Sequence, residues 1–321
     1  MVRIAGQPLP VSVVIPVYNR LDRLVAAVDS VRRQQCPPRE VVVVDDGSTE
    51  GAAEEVLGRA GTPAPGTPRL RVVRQENGGP SRARNRGIAL AEQPWIAFLD
   101  ADDLWEPDKL ALQWRAVQRH PAAVLVSTDW RRPGTPRPER PIPPARRQRR
   151  AARRVAWLNR FQTSTVLARR AVLVDAGLFA PEMDGLEDWD MWLRVVARGP
   201  WVHIPYPLVL YWDTPGGVSK DTRRAYRVGA ERLTAYRERR ADARVSGLVG
   251  DRLLLWHHLR FALAFWRLGD REMGRRALAT AWRPGTRLAT LGVALSAMGP
   301  YLWGRVRARL RGAAAGRPDG R

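Results

Sequence analysis

The chain has 321 residues, 45% of them hydrophobic, and a formal net charge of +22. That is long and apolar enough to bury a sizeable core, and its single cysteine, Cys36, excludes an intrachain disulfide. The charge, carried almost wholly by arginine with lysine only at 109 and 220, favours acidic partners such as nucleic acid, anionic lipid or nucleotide phosphates. In chain order, VSVVI at 11–15 reads as a buried strand. Residues 21–33 read as a helix with Leu21, Leu24, Val25, Val28 and Val31 on its apolar face. VVVV at 41–44 is a second strand, 51–59 a helix, and GTPAPGTP a loop. Strand 70–73, helix 80–92 and strand 95–99 follow. Beyond them come a helix at 106–119, a strand at 122–126, helices at 171–176 and 188–198, and short strands at 201–204 and 208–211. RRPGTPRPERPIPPARRQRR, 131–150, reads as a long loop too rich in Pro and Arg to pack by itself, and everything after 221 as Arg-rich helix.

Continuous apolar strands alternating with helices indicate an α/β domain with a mainly parallel sheet. Such sheets bind ligands at the carboxyl ends of their strands. Here each of the first four strands runs into a polar or special cluster: PVYN, DDGST, QENGG and DADD.

The run WIAFLDADDLW places Asp100, Asp102 and Asp103 directly after a buried strand. Ionised groups are costly to desolvate unless compensated, and a hard divalent cation such as Mg2+ or Mn2+ is a fitting partner. In an extended segment Asp100 and Asp102 point to the same side. The competing role is a helix cap, with Pro107 near the first turn that follows. Asp45 and Asp46 either belong to a turn and cap with Gly47 and Ser48, or accept hydrogen bonds from a nucleobase or ribose. Pro16 suits a strand end, and Tyr18 offers either a stacking face or a packing contact.

ENGGPSRARNRG, 76–87, is a glycine-rich turn opening a helix, where exposed N–H groups favour an anion. Arg82, Arg84 and Arg86 cannot share one helical face, and Arg84, with Asn85 beside it, is the favoured nucleotide contact. In GLEDWDMWLR, 185–194, Glu187, Asp188 and Asp190 open a helix with an apolar face of Trp189, Trp192, Leu193 and Val196. Acids in a first turn favour the helix dipole, and a carboxylate at a site boundary can also act as a general base.

Taken together, VSVVIPVYN, EVVVVDDGSTE, ENGGPSRARNRGI, WIAFLDADDLWEPDKL, STVLARRAVLVDAGLF and EDWDMWLRV resemble, in order, the family-two inverting glycosyltransferases of GT-A fold. The resemblance spans about residues 10–215. It implies a Rossmann-like, mainly parallel central sheet flanked by helices, with a C-terminal helical extension. It also implies a nucleotide-sugar-binding half over 1–103, an acceptor-binding half over 104–220 and an Arg-rich helical region over 221–321. The implied reaction moves a sugar from a nucleoside-diphosphate donor, typically a UDP-sugar, to an acceptor hydroxyl with inversion and a divalent metal. The acceptor would be a glycan, a lipid-linked molecule or a small molecule. Carried over by position, Pro16 and Tyr18 would line the base pocket and Asp46 would bond the base. Arg84 would lie on the nucleotide side and Asp100 by the ribose or sugar. Asp102 would hold Mg2+ or Mn2+, Asp188 would be the base, and Glu187 would position it or touch the acceptor. Many members carry a metal- or diphosphate-contacting His after a strand like LVLY; here Asp213 or Thr214 occupies that region.

A second reading, a catalytically silent protein that binds nucleic acid or an anionic membrane surface, rests on the charge and on RRQRRAARR. No nucleic-acid-binding motif accompanies them. Residues 288–304, flanked by Arg287 and Arg305, read either as an interfacial helix at an anionic membrane or as a helix packed on the catalytic domain. The N-terminus does not resemble a signal peptide, so the expected location is cytoplasmic, or peripheral at the inner face of a membrane.

Overall fold

A computed structural model describes residues 8–59, 67–148, 152, 155–156, 159, 161–183, 185–212, 221–238, 241–246 and 251–281. Strands β1 (Leu9–Val17), β2 (Pro38–Asp45), β3 (Arg69–Arg74) and β4 (Trp95–Phe98) alternate with helices α1 (Leu21–Arg32), α2 (Ala53–Arg59) and α3 (Gly79–Leu90). Next come β5 (Leu104–Trp105), α4 (Lys109–Arg119), β6 (Leu125–Arg131), β7 (Arg146–Arg147), β8 (Leu167–Arg169), α5 (Arg170–Asp175), α6 (Glu187–Val196) and β9 (Trp201–Leu210). Helices α7 (Thr222–Arg237), α8 (Ala243–Ser246), α9 (Asp251–Arg267) and α10 (Arg271–Ala281) close the described chain.

The strands form one sheet in the order β3-β2-β1-β4-β8-β6-β9-β5, with β7 paired to β9. β1 pairs in parallel with β2 and β4, and β2 with β3. β8 runs antiparallel to both β4 and β6, so β6 points the same way as β4; β9 is parallel to β6. The carboxyl ends of β1, β2, β3, β4, β6 and β9 therefore share one edge of the sheet, and that edge carries the site.

Both faces are covered, which is why the strands read as unbroken apolar runs rather than alternating ones. Val11, Val13 and Ile15 pack on one side with Leu24, Val28 and Leu110; Val14, Ile96 and Phe98 pack on the other with Ile88, Trp189 and Trp192. Helix α3 lies so close to β1 that a Cβ at Gly87 would come 2.3 Å from Val14 Cγ1. Only glycine fits there, because a buried β-branched neighbour has no room to give.

The structure corrects several expectations. The two short strands at 201–204 and 208–211 are one strand, whose register against β6 shifts between Thr128 and Arg131 to absorb Pro205 and Pro207. The 131–150 segment is not merely a loop. Arg146 and Arg147 pair with β9, Ile142 and Ala145 pack on the core, and Arg137 bonds Asp108 at 2.5 Å. Strands β5 and β8 were not anticipated; each is only two or three residues long and is created by its partner strands.

Charge docks the C-terminal helices. The buried Asp190 of α6 accepts from Arg194 Nε at 2.9 Å, Arg232 Nε at 2.7 Å and the Tyr236 hydroxyl at 2.5 Å. Burial alone would raise its pKa, but Arg194 and Arg232 hold the carboxyl below the ordinary range. Arg194 also donates to the carbonyls of Ala176 and Leu178, and Arg198 pairs with Asp242 at 2.7 Å. α6 is thus clamped to α7 and α8 behind its acidic first turn.

Candidate active site

The nucleotide-side residues stand at the carboxyl ends of β1 and β2. Pro16 pairs with Val44 near the end of β1, and Tyr18, just beyond, is 46% exposed, leaving its ring open to a ligand. Asn19 follows with φ 49°, a conformation asparagine tolerates better than most residues. Its Oδ1 accepts from Thr49 N at 2.7 Å and its Nδ2 donates to Thr49 Oγ1 at 3.0 Å. The first strand end is thereby stapled to the loop after the second.

Asp45 is a cap, as one sequence reading held: it accepts from Ser48 N at 2.8 Å and Ala53 N at 3.1 Å. Asp46 has a different role. Its Oδ1 accepts from Gln75 Nε2 at 2.7 Å and Gly78 N at 3.0 Å, and its Oδ2 from Gly79 N at 2.8 Å. The carboxylate expected to meet a base is buried and shapes the glycine turn of α3 from beneath. Gly79 has φ 83°, so that turn is a conformation L side chains seldom adopt.

The second group stands at the end of β4. Arg84, on α3, is buried and donates from Nη2 to Asp100 Oδ1 at 2.9 Å and from Nη1 to Glu187 Oε1 at 3.1 Å. Its guanidinium lies 5.4 Å from the centre of the Phe179 ring, which packs on Phe98 and Trp192. Burial opposes the charge, but Asp100 and Glu187 overcome it and raise the Arg84 pKa above its ordinary value. Arg84 thus meets Asp100, the acid expected by the ribose or sugar, and also reaches Glu187. It bridges two acidic clusters that lie 87 residues apart in sequence, at Asp100 and Glu187. The exposed Arg82 and Arg86 take no part in that bridge, which the spacing of the three arginines anticipated in kind.

Asp103 is fully buried and ties the acid loop to two other segments. It accepts from Ser164 Oγ at 2.6 Å and from Trp212 N at 3.1 Å. Ser164 Oγ in turn accepts from Asp100 N at 3.0 Å. Burial, then the charge of Asp100, push the Asp103 carboxyl up to about 8. Asp100 and Asp102 are both partly exposed.

Glu187 and Asp188 open α6. Glu187 Oε2 accepts from Gly185 N at 2.9 Å, leaving Oε1 to Arg84. Asp188 Oδ1 accepts from Trp189 N at 2.6 Å and Oδ2 from Asn159 Nδ2 at 2.8 Å. Asn159 Oδ1 accepts from Phe161 N at 3.1 Å, which fixes the amide so that its NH2 faces Asp188. Burial, then the neighbouring Glu187 charge, raise the Asp188 carboxyl to about 7, against the pull of Asn159. Sequence reasoning missed Asn159, because a lone amide carries no pattern, and it placed Ser164 at the head of STVLARRAVLVDAGLF without giving that hydroxyl a role.

Among the described residues, no three His, Cys, Asp or Glu side chains form a group able to hold a metal ion. Asp100 pairs with Arg84, and Asp103 accepts from Ser164 and Trp212, while Asp102 is the acid that the family resemblance assigns to a metal. One carboxylate fits a Mg2+ or Mn2+ that shares its shell with substrate phosphates rather than one caged wholly by protein. The excess negative charge that lifts Asp103 has the sign such a cation would relieve. Asp213, Thr214 and 288–304 lie outside the described residues. No described helix is long and apolar enough to cross a membrane.

Known proteins share this architecture. TarS of S. aureus, residues 1–349 in complex with UDP-GlcNAc, superposes with a TM-score of 0.64 at 20% identity, covering 85% of this chain and 80% of that one. The mannosyltransferase PcManGT of Pyrobaculum calidifontis, in complex with GDP-Man and Mn2+, gives 0.58 at 23% identity, covering 96% and 88%. The succinoglycan biosynthesis protein ExoU of Rhizobium meliloti (strain 1021) is 43% identical over 107 residues, 33% of this chain and 30% of ExoU. The chain spans about a quarter or less of the length of other curated relatives. The central sheet and its flanking helices are those of a GT-A fold. Residues 12–177, just over half of the chain, match the sequence profile described as glycosyl transferase family 2, and the chain belongs to that family.

Proposed function

We propose that the chain transfers a glycosyl group from a nucleoside-diphosphate sugar, a UDP-sugar, to an acceptor hydroxyl with inversion at the anomeric carbon. The observation that carries this reading is the Arg84 bridge, because it brings the donor-side Asp100 and the acid pair of α6 into one site. Asp188 acts as general base and takes the acceptor hydroxyl proton. The hydroxyl oxygen attacks the anomeric carbon as the bond to the diphosphate oxygen breaks, and the diphosphate leaves with the bonding electrons. No covalent sugar–enzyme bond forms. Glu187, held by Arg84 and Gly185 N, keeps a negative charge beside Asp188 and makes it the better base.

Tyr18 and Pro16 line the base side. Asp46 sets the glycine turn against which the nucleotide lies rather than meeting the base directly in the state described. Asp100, steered by Arg84, faces the ribose or sugar. Asp102 is the residue that would hold Mg2+ or Mn2+, which when bound would supply positive charge to offset the negative charge developing on the diphosphate. The donor half runs over 1–103, the acceptor half over 104–220 and the Arg-rich helical region over 221–321, of which Arg232, Tyr236 and Asp242 brace α6.

UDP binding measured by calorimetry should strengthen on adding Mn2+. Asp102→Ala is expected to lose that increment while keeping the metal-independent part. An increment unchanged in Asp102→Ala would remove Asp102 from the metal site.

A further inference from the structure

Two aromatic rings meet where β6 and β9 end, and a third, Trp212, follows with its ring 5.5 Å from the Arg23 guanidinium. Trp130 is the penultimate residue of β6, and Tyr211 and Trp212 directly follow β9. The two strand ends are tied, since Tyr211 N donates to Arg131 O at 2.9 Å. Arg131 is itself fixed by Glu106 at 2.6 Å and by the Thr135 carbonyl at 2.7 Å. The Trp130 and Tyr211 rings meet at a centroid distance of 5.0 Å and an angle of 64°.

Because β6 and β9 run parallel to β4, these rings stand on the same edge of the sheet as the acid loop. The link is direct: Trp212 N donates to Asp103 Oδ1 at 3.1 Å. Trp130 is 38% exposed, although residues 125–128 of the same strand are buried. An indole left open beside a reaction site is apolar area available to a ligand.

We propose that Trp130 and Tyr211 form a stacking platform for a pyranose ring of the acceptor, and hence that the acceptor is a saccharide. The proposal rests on the transferase reading above and names its second substrate. A pyranose presents one face of C–H groups and a rim of hydroxyls. That face matches an indole, and the rim stays in water or meets polar groups at the site. A nucleobase is the other flat ligand to consider. Its place by Tyr18 lies three strands from β6 in the order β1-β4-β8-β6, roughly 14 Å at ~4.8 Å per strand. One nucleobase cannot serve both positions. Trp130 and Tyr211 belong to the 104–220 half assigned above to the acceptor, and in this reading the platform orients the acceptor so that one of its hydroxyls reaches Asp188.

The test uses saturation-transfer NMR on the full chain with cellotetraose, mannotetraose and chitotetraose, and a separate UDP titration. At least one tetrasaccharide should receive saturation at C–H protons of one ring face. Trp130→Ala should weaken its binding by about two- to tenfold, the size of one lost aromatic stacking contact, and Trp130→Phe by less. UDP affinity should stay the same in both variants. Failure of all three sugars to bind, or equal binding by Trp130→Ala, overturns the proposal. So does a Trp130→Ala variant that weakens UDP instead, which would mark a base site. UDP binding without sugar binding would sink the platform and leave the transferase reading standing. Trp130-dependent sugar binding without UDP binding would do the reverse.

Discussion

Asp188→Asn is expected to lower kcat by about 10²–10⁴-fold, the usual contribution of a positioned general base, while UDP affinity is unchanged. Asparagine keeps the shape and can still accept from Trp189 N, but it cannot take a proton. The wild-type pH profile makes the assignment sharper. The base works in its ionised form, and its pKa is lifted to about 7 by burial and by Glu187. kcat/KM should therefore fall as pH drops through neutrality, not near the ~4 of an ordinary carboxyl. Asn159→Ala removes the donor that favours the ionised form, so it should move this limb to higher pH by about one unit, the scale of a charge-assisted hydrogen bond. An Asp188→Asn enzyme with full turnover would end the base assignment. A limb unmoved by Asn159→Ala would show that Asn159 does not tune it.

Arg84→Met should be the most damaging single arginine replacement in α3. It leaves Asp100 and Glu187 facing one another around an apolar side chain, against the Phe179 ring. Removing one partner from a buried ionic cluster costs about 3–5 kcal/mol, because the abandoned charges stay desolvated. Urea unfolding should show that loss, whereas Arg86→Ala, at an exposed position, should change stability by less than ~0.5 kcal/mol. Adding Glu187→Gln to Arg84→Met should recover part of the loss, and strict additivity of the two would mean that the bridge is not an energetic unit. Donor binding should weaken alongside stability in Arg84→Met, since Asp100 loses its restraint.

The contrast between Arg84 and its neighbours shows where sequence reasoning reached its limit. Spacing of two along a helix said that Arg82, Arg84 and Arg86 could not act together. It gave no means of seeing that Glu187 lies opposite one of them. The same holds for Asp46. A carboxylate after a strand in a ligand-binding edge was legible, but its three donors come from Gln75, Gly78 and Gly79, and only folding brings them beneath it. Asn159 was invisible for a related reason, and Ser164, though inside a recognised motif, had no legible role. Their meaning comes from the acids they touch.

By itself the sequence determined the α/β class, the strands β1 to β4, the ligand edge at their carboxyl ends and the identity of both acidic clusters. These are local properties: runs of apolar residues both-sides buried, glycine turns, and acids at element ends follow from side-chain pattern and backbone sterics. The tertiary structure alone decided that β9 is a single strand, that β5 and β8 exist, and that Asp190 clamps the C-terminal helices behind α6. It alone decided which arginine unites Asp100 with Glu187. Those are contacts between groups distant in the chain, and their energies depend on burial and partner geometry, which no local pattern encodes.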